Sequence, residues 1–435
     1  MGKARGELGC ACHFDKLSQE VYLSMSTAQV QLIPDGSITS TPGFEAAGIA
    51  CGLKPNGALD LALVYSPQPC VGAALFTTNA FKAAPVLYDQ RLLAQNATEL
   101  HGVVINSGCA NACTGERGLR NAEATAAAAA GLLGRSPSSF LIMSTGVIGM
   151  ALPMDKVLAG IAQAVSRRTS SVEGGHAAAL AIMTTDTRPK ECAVRVITDY
   201  GEFTIAGMAK GAGMIHPNMA TMLCLLTSDV RITPQVARQA LNEGVEKSFH
   251  RITVDGDTST NDTVLLLANG LAKMPPITST ESRGYADFCV GLSQVLLTLA
   301  QAIVRDGEGA TRFVEITVSG ARTGAEAKQV AMAIARSLLV KTAIYGQDAN
   351  WGRIVCAVGY SGVTIIPERV RVWLGDLELF RNGEPYQVDE ARARELLAEP
   401  EVVIRVDLGQ GSAQETVWTC DLSHRYVDIN AHYRT

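Results

Sequence analysis

Apolar residues along this chain fall in short runs that alternate with windows of helical period. Asp60 to Tyr65 and Val103 to Ile105 have the continuous apolar character of buried strands, and the Ala-rich stretch Asn121 to Leu133 has high helix propensity. Cys192 to Thr198 and Phe203 to Met208 are rich in β-branched residues, and the link Asp199-Tyr200-Gly201-Glu202 between them predicts a hairpin. Thr221 to Thr227 reads as a strand, Pro234 to Ser248 as a helix, and Asp287 to Val304 as a long apolar-periodic helix. A strand over Phe313 to Ser319, a helix over Ala325 to Ser337 and strands over Val370 to Leu374 and Val402 to Val406 follow. The pattern predicts an α/β fold. Residues 1–27 show no period, which predicts an N-terminal extension or mobile arm, with the globular pattern starting near Val30.

Composition narrows the class. The chain has 435 residues, 47% hydrophobic and 18% charged, enough apolar material for a large core. Its 37 basic and 42 acidic residues give a formal net charge of −5, and no run of like charge forms a tail, so a nucleic-acid partner is not expected. The longest uncharged runs, Leu61 to Phe81 and Ser136 to Met154, are broken by prolines and polar residues, so no membrane span is expected. The start carries no apolar signal region, and a cytoplasmic location follows as an expectation. The 11 cysteines are an odd number, mostly dispersed, and read as free thiols. Cys10, Cys12 and His13 lack a second ligand cluster, and Asp255-Gly256-Asp257 lacks the downstream ligands of a calcium loop, so no metal is expected.

The candidate chemistry sits mid-chain. Lys210-Gly211-Ala212-Gly213-Met214-Ile215-His216-Pro217-Asn218-Met219-Ala220 is a Gly- and Pro-bearing loop that runs into Thr221 and the strand behind it. Were the Ala220–Thr221 bond cut, Thr221 would carry a hydroxyl nucleophile and a free α-amine to act as its base. The amine's ordinary pKa of about 7.7 to 8.0 suits that role near neutral pH. Spacing alone favours an ordinary loop entering a strand whose first residue is a threonine, a common strand residue.

Taken whole, that loop resembles the self-cleavage signature of the ornithine acetyltransferase family, the bifunctional glutamate N-acetyltransferases of arginine biosynthesis. The resemblance continues through Gly43 to Ile49, Asn106 to Gly115, Ser144 to Gly149, Met183 to Thr187, Asp306 to Thr311, Gly346 to Arg353 and Ile429-Asn430-Ala431, in family order from about residue 30 onward. It implies the family's two-lobed, self-processing fold of N-terminal-nucleophile type, with an α chain over 28–220 and a β chain over 221–435. The two chains stay together, with an α2β2 heterotetramer as the family precedent. The implied reaction moves acetyl from N-acetylornithine to glutamate through an acetyl-Thr221 enzyme. Acetyl coenzyme A is a donor for bifunctional members, and no cofactor is implied.

The same resemblance assigns roles. Thr145 and Gly146 match the oxyanion pair, while Thr184, Lys210, Thr221, Glu308, Asn430 and Thr435 match substrate-binding positions. Their types suit a zwitterionic amino acid, which needs both a cation and a carboxylate as partners. Three residues depart from the family pattern close to this chemistry: Ala212 for Ser, His216 for a small residue and Cys109 for Asn. A rival reading is an N-terminal-nucleophile aminopeptidase or amidase, in which water takes the acyl group. A third is an uncleaved amino-acid-binding protein.

Overall fold

The structure is a computed structural model of the 435-residue chain, and it describes residue 26 and residues 28–216, 222–386 and 389–432. Two sheets organise it. The larger has nine strands, in the order Gln29–Leu32, Lys190–Thr198, Gly201–Lys210, Leu223–Ser228, Thr263–Ala268, Leu61–Phe76, Leu100–Asn106, Phe140–Ser144, with Glu45–Ile49 beside the Leu61–Phe76 strand. The smaller has six, in the order Glu384–Pro385, Leu377–Arg381, Arg371–Leu374, Glu401–Asp407, Phe313–Ala321, Ala413–Cys420.

The uninterrupted apolar run at 223–226 has a direct cause in the larger sheet. Leu223–Ser228 and Thr263–Ala268 pair in parallel at its centre, and side chains alternate between the two faces. Cys224, Leu226, Val264 and Leu266 enter one core, under the helices Pro234–Glu246 and Tyr285–Arg305. Leu223, Leu225, Leu265 and Leu267 enter the other, which takes in the helices Gly115–Leu132, Met154–Arg167 and Val172–Ile182. A third core, with Val330 and Ile334 of the Gly324–Arg336 helix, belongs to the smaller sheet.

The expected hairpin is present and tighter than its sequence suggested. Thr198 pairs with Gly201 and Ile197 with Glu202, so only Asp199 and Tyr200 form the turn. The Leu61–Phe76 strand is longer than the expected run ending at Tyr65, and it crosses Pro67 and Pro69. Its ladder shifts register between Tyr65 and Cys70, where residues 67–69 are exposed, so the missing proline N–H groups leave no bond unmade. Each half then serves a different neighbour, Glu45–Ile49 before the prolines and Thr263–Ala268 after them.

One helix, Tyr285–Arg305, is long and apolar enough to cross a membrane by length and composition, yet 67% of its most apolar window is buried in the protein. It is a core helix. Of the expected arm, 1–25 and 27 lie outside the described residues; Ser26 donates to Asp287 Oδ1 at 2.6 Å. Cys10, Cys12 and His13 also fall outside, and every described cysteine is a free thiol.

Candidate active site

The hairpin delivers Lys210 to the mouth of the site. Lys210 pairs with Leu223 on the neighbouring strand, so the loop between them leaves and re-enters the sheet at adjacent points. Ala220 and Thr221 lie in that loop, outside the described residues, as does Thr435. The six other residues singled out from the sequence, Thr145, Gly146, Thr184, Lys210, Glu308 and Asn430, line a single cavity of about 230 Å³. They come from segments up to 285 positions apart in the chain (430 − 145 = 285), so only folding brings them together.

Thr145 and Gly146 follow the Phe140–Ser144 strand, where Thr145 N donates to Asn106 O at 3.0 Å. Gly146 adopts φ +128°, and a Cβ there would lie 2.3 Å from the Gly108 carbonyl carbon. Only glycine fits so close a backbone. Among the described residues the Gly146 amide has no hydrogen-bond acceptor. Cys109, one of the departures from the family pattern, is buried and bridges to both Thr145 and Val147, packing behind this turn.

Lys210 Nζ reaches Thr145 Oγ1 at 3.4 Å and is buried. Burial pushes its ammonium below the ordinary range, the Asp186 charge pulls it back up, and Lys190 adds to the fall. Beneath it lies a buried charge network. Lys190 Nζ donates to Asp186 Oδ1 and Asp306 Oδ2, each at 2.6 Å, while Asp186 also accepts from the amides of Thr184 at 2.9 Å and Gly211 at 2.7 Å. Burial alone would raise the Asp186 carboxyl, but the Lys210 and Lys190 charges and these hydrogen bonds outweigh it and hold it at about 2. The network thereby anchors both Thr184 and the start of the loop.

Glu308 closes the opposite side. Its amide donates to Ala212 O at 2.8 Å, and its Oε2 accepts from Asn430 Nδ2 at 2.7 Å. Room for the carboxylate comes from Gly213, where a Cβ would fall 2.3 Å from Oε2. Asn430 stands on the His424–His432 helix one turn from Tyr426, so both face the cavity.

Asp255 and Tyr426 are among the lining residues that the sequence did not single out. Asp255, seen there only as a failed cation loop, accepts from Met214 N at 2.5 Å and Ile215 N at 2.8 Å, and Tyr426 Oη donates to it at 3.2 Å. It clamps a turn in which Met214 has φ +58°. The i, i+4 relation to Asn430 was the available signal for Tyr426. His216 is half-buried; burial and the Arg336 charge hold its ring down to about 4, so near neutral pH it is uncharged and a weak base. Among the described residues no group of three or more His, Cys, Asp or Glu is arranged to hold a metal.

The comparisons with known proteins agree with one another. The sequence model of the ArgJ family matches residues 45–435. An arginine biosynthesis bifunctional protein ArgJ from Symbiobacterium thermophilum is 51% identical over 402 residues, covering 92% of this chain and 99% of that one. A mitochondrial counterpart from Verticillium alfalfae is 45% identical over 463 residues, covering 98% and 100%. A crystal structure of an ornithine acetyltransferase from Mycobacterium tuberculosis, complexed with ornithine, is 42% identical and covers 43% of this chain and 98% of its own, with a TM-score of 0.40. On the family match and the length of these sequence alignments, this chain belongs to the ArgJ family.

Proposed function

We propose that this protein is an acetyltransferase of arginine biosynthesis that moves acetyl from N-acetylornithine to glutamate, releasing ornithine and N-acetylglutamate. The observation that carries the reading is the convergence of Thr145, Gly146, Thr184, Lys210, Glu308 and Asn430 on one cavity at the ends of the two adjacent strands where the Thr221 loop begins and ends. Relatives spanning nearly the whole chain are named bifunctional proteins of arginine biosynthesis, which supports it.

In this reading the precursor is cut between Ala220 and Thr221. The Thr221 hydroxyl then attacks the acetyl carbonyl of acetylornithine while the α-amine takes its proton. The tetrahedral oxyanion faces Thr145 and the Gly146 amide; one such donor is worth about 2.7 to 4 kcal/mol in enzymes where it has been removed. Collapse expels ornithine, its amine regaining a proton, and the glutamate amine then takes the acetyl group from the Thr221 ester. Lys210 meets a substrate carboxylate, and Glu308 with Asn430 meets an ammonium or amine. An α2β2 assembly of the cleavage products and a cytoplasmic location belong to the same reading.

The deciding experiment compares acetylglutamate formation with acetate release from acetylornithine. Transfer requires that acetate without glutamate appear far more slowly than acetylglutamate does with it; equal rates would make the enzyme an amidase. A parallel assay with acetyl coenzyme A and glutamate alone tests the second donor, where product is expected if the protein is bifunctional. Gly213→Ala should raise KM for the amino-acid substrates by about 10-fold with folding intact, because the added methyl displaces the flexible Glu308 carboxylate and weakens binding alone. An unchanged KM would remove Glu308 from the binding site.

A further inference from the structure

Two consecutive residues, Asn261 and Asp262, stand between the Thr145–Gly146 turn and the chain that leaves the cleavage junction. They lead into the Thr263–Ala268 strand, and neighbouring side chains in extended backbone point to opposite sides. Asn261 Nδ2 donates to Ala110 O at 2.7 Å and to Ser144 O at 2.8 Å, and Ser144 directly precedes Thr145. Its Oδ1 accepts from Thr260 Oγ1 at 2.7 Å, which fixes which way the amide faces. Asp262 serves the other half: its Oδ1 accepts from Met222 N at 3.1 Å. The next amide, Thr263 N, donates to Met222 O at 3.2 Å, so Met222 is held at both of its backbone polar groups.

The Asp262 side chain is fully buried, and among the described residues no donor meets its Oδ2 in good hydrogen-bond geometry. Such a group is destabilising, so its presence calls for a use. The bond to Met222 provides one. Burial pushes the carboxyl well above its ordinary range, with the Met222 hydrogen bond, the Lys210 charge and Ser259 opposing, which favours the neutral acid that an amide can copy.

We propose that Asn261 and Asp262 are positioning residues of the acyl-transfer site, one fixing the Thr145–Gly146 turn and the other the backbone of the residue after Thr221. The proposal rests on the roles of Thr221, Thr145 and Gly146 given under Proposed function. Adjacent Cα atoms are held about 3.8 Å apart by the peptide bond, so these two residues act as a covalent spacer between nucleophile and oxyanion donors. Displacement of about 1 Å in such a geometry lowers rates by about 100-fold.

Each residue has its own test. Asp262→Leu removes the acceptor from Met222 N, so cleavage at Ala220–Thr221 should slow and kcat fall about 100-fold with KM within about threefold, while Asp262→Asn, which keeps an oxygen for that amide, should recover most of the loss. Asn261→Asp turns an oxygen toward two carbonyls, so the melting temperature should fall by a few degrees with the protein still folded in the assay, and kcat should fall about 100-fold with KM within about threefold. Full activity in Asp262→Leu or in Asn261→Asp, or no recovery in Asp262→Asn, would overturn the proposal. Wild type run alongside separates the two claims: an uncleaved, inactive wild type overturns the Thr221 reading itself, whereas a cleaved, active one beside an equally active Asn261→Asp overturns the spacer alone.

Discussion

Thr221→Ala is expected to yield one intact 435-residue polypeptide that transfers no acetyl group. The same hydroxyl opens the Ala220–Thr221 bond and later carries the acetyl, so one substitution removes both steps. Loss of a nucleophile that works as a unit with its base lowers turnover by about 10⁴- to 10⁶-fold. Thr221→Ser retains hydroxyl and amine and should still be processed. Denaturing electrophoresis with N-terminal sequencing reads the cleavage, and acetylglutamate formation reads the chemistry. Turnover surviving in the alanine variant would remove Thr221 from the mechanism.

The largest effect on stability is expected from Lys190→Met. Lys190 and Asp186 have side chains 1% and 0% exposed, and Asp306 is 4% exposed, so the substitution leaves two buried carboxylates without their cation. Breaking a buried pair in this way costs about 3–5 kcal/mol, readable as a lowered urea midpoint. Acid dependence follows from the same network. The Asp186 carboxyl is held at about 2, below its ordinary value of about 3.9, so its contribution is fully present above that ordinary value and disappears as pH falls through about 2. A Lys190→Met protein as stable as wild type at neutral pH would show that Lys210 alone balances Asp186.

Local pattern made much of this protein readable before its structure. The hairpin delivering Lys210, a strand after the Thr221 loop and the long helix within 285–305 follow from β-branched and apolar runs, a period of 3.6 and turn residues. The substrate-facing residues were readable only through a long resemblance, since Lys210 or Glu308 alone resembles any solvated loop charge. What stayed hidden are side chains whose partners are distant or are backbone atoms. Asn261 bonds to carbonyls 151 and 117 positions away, Lys190 to a carboxylate 116 away and Asp255 to amides about 40 away. No local period records such bonds. The strand crossing Pro67 and Pro69 was cut short for a different reason: a proline argues against a central strand unless its segment is exposed, and exposure there is set by the neighbouring strands.

The central claim is that an acetyl group rests on Thr221 between donor and acceptor. Intact-mass measurement of the purified protein, incubated with N-acetylornithine and no glutamate, tests it directly. The fragment beginning at Thr221 should gain one acetyl group, located on that residue by peptide fragmentation, and should lose it when glutamate is added. Acetylglutamate production with no acetylated Thr221 fragment, or with the label on another residue, would contradict the account.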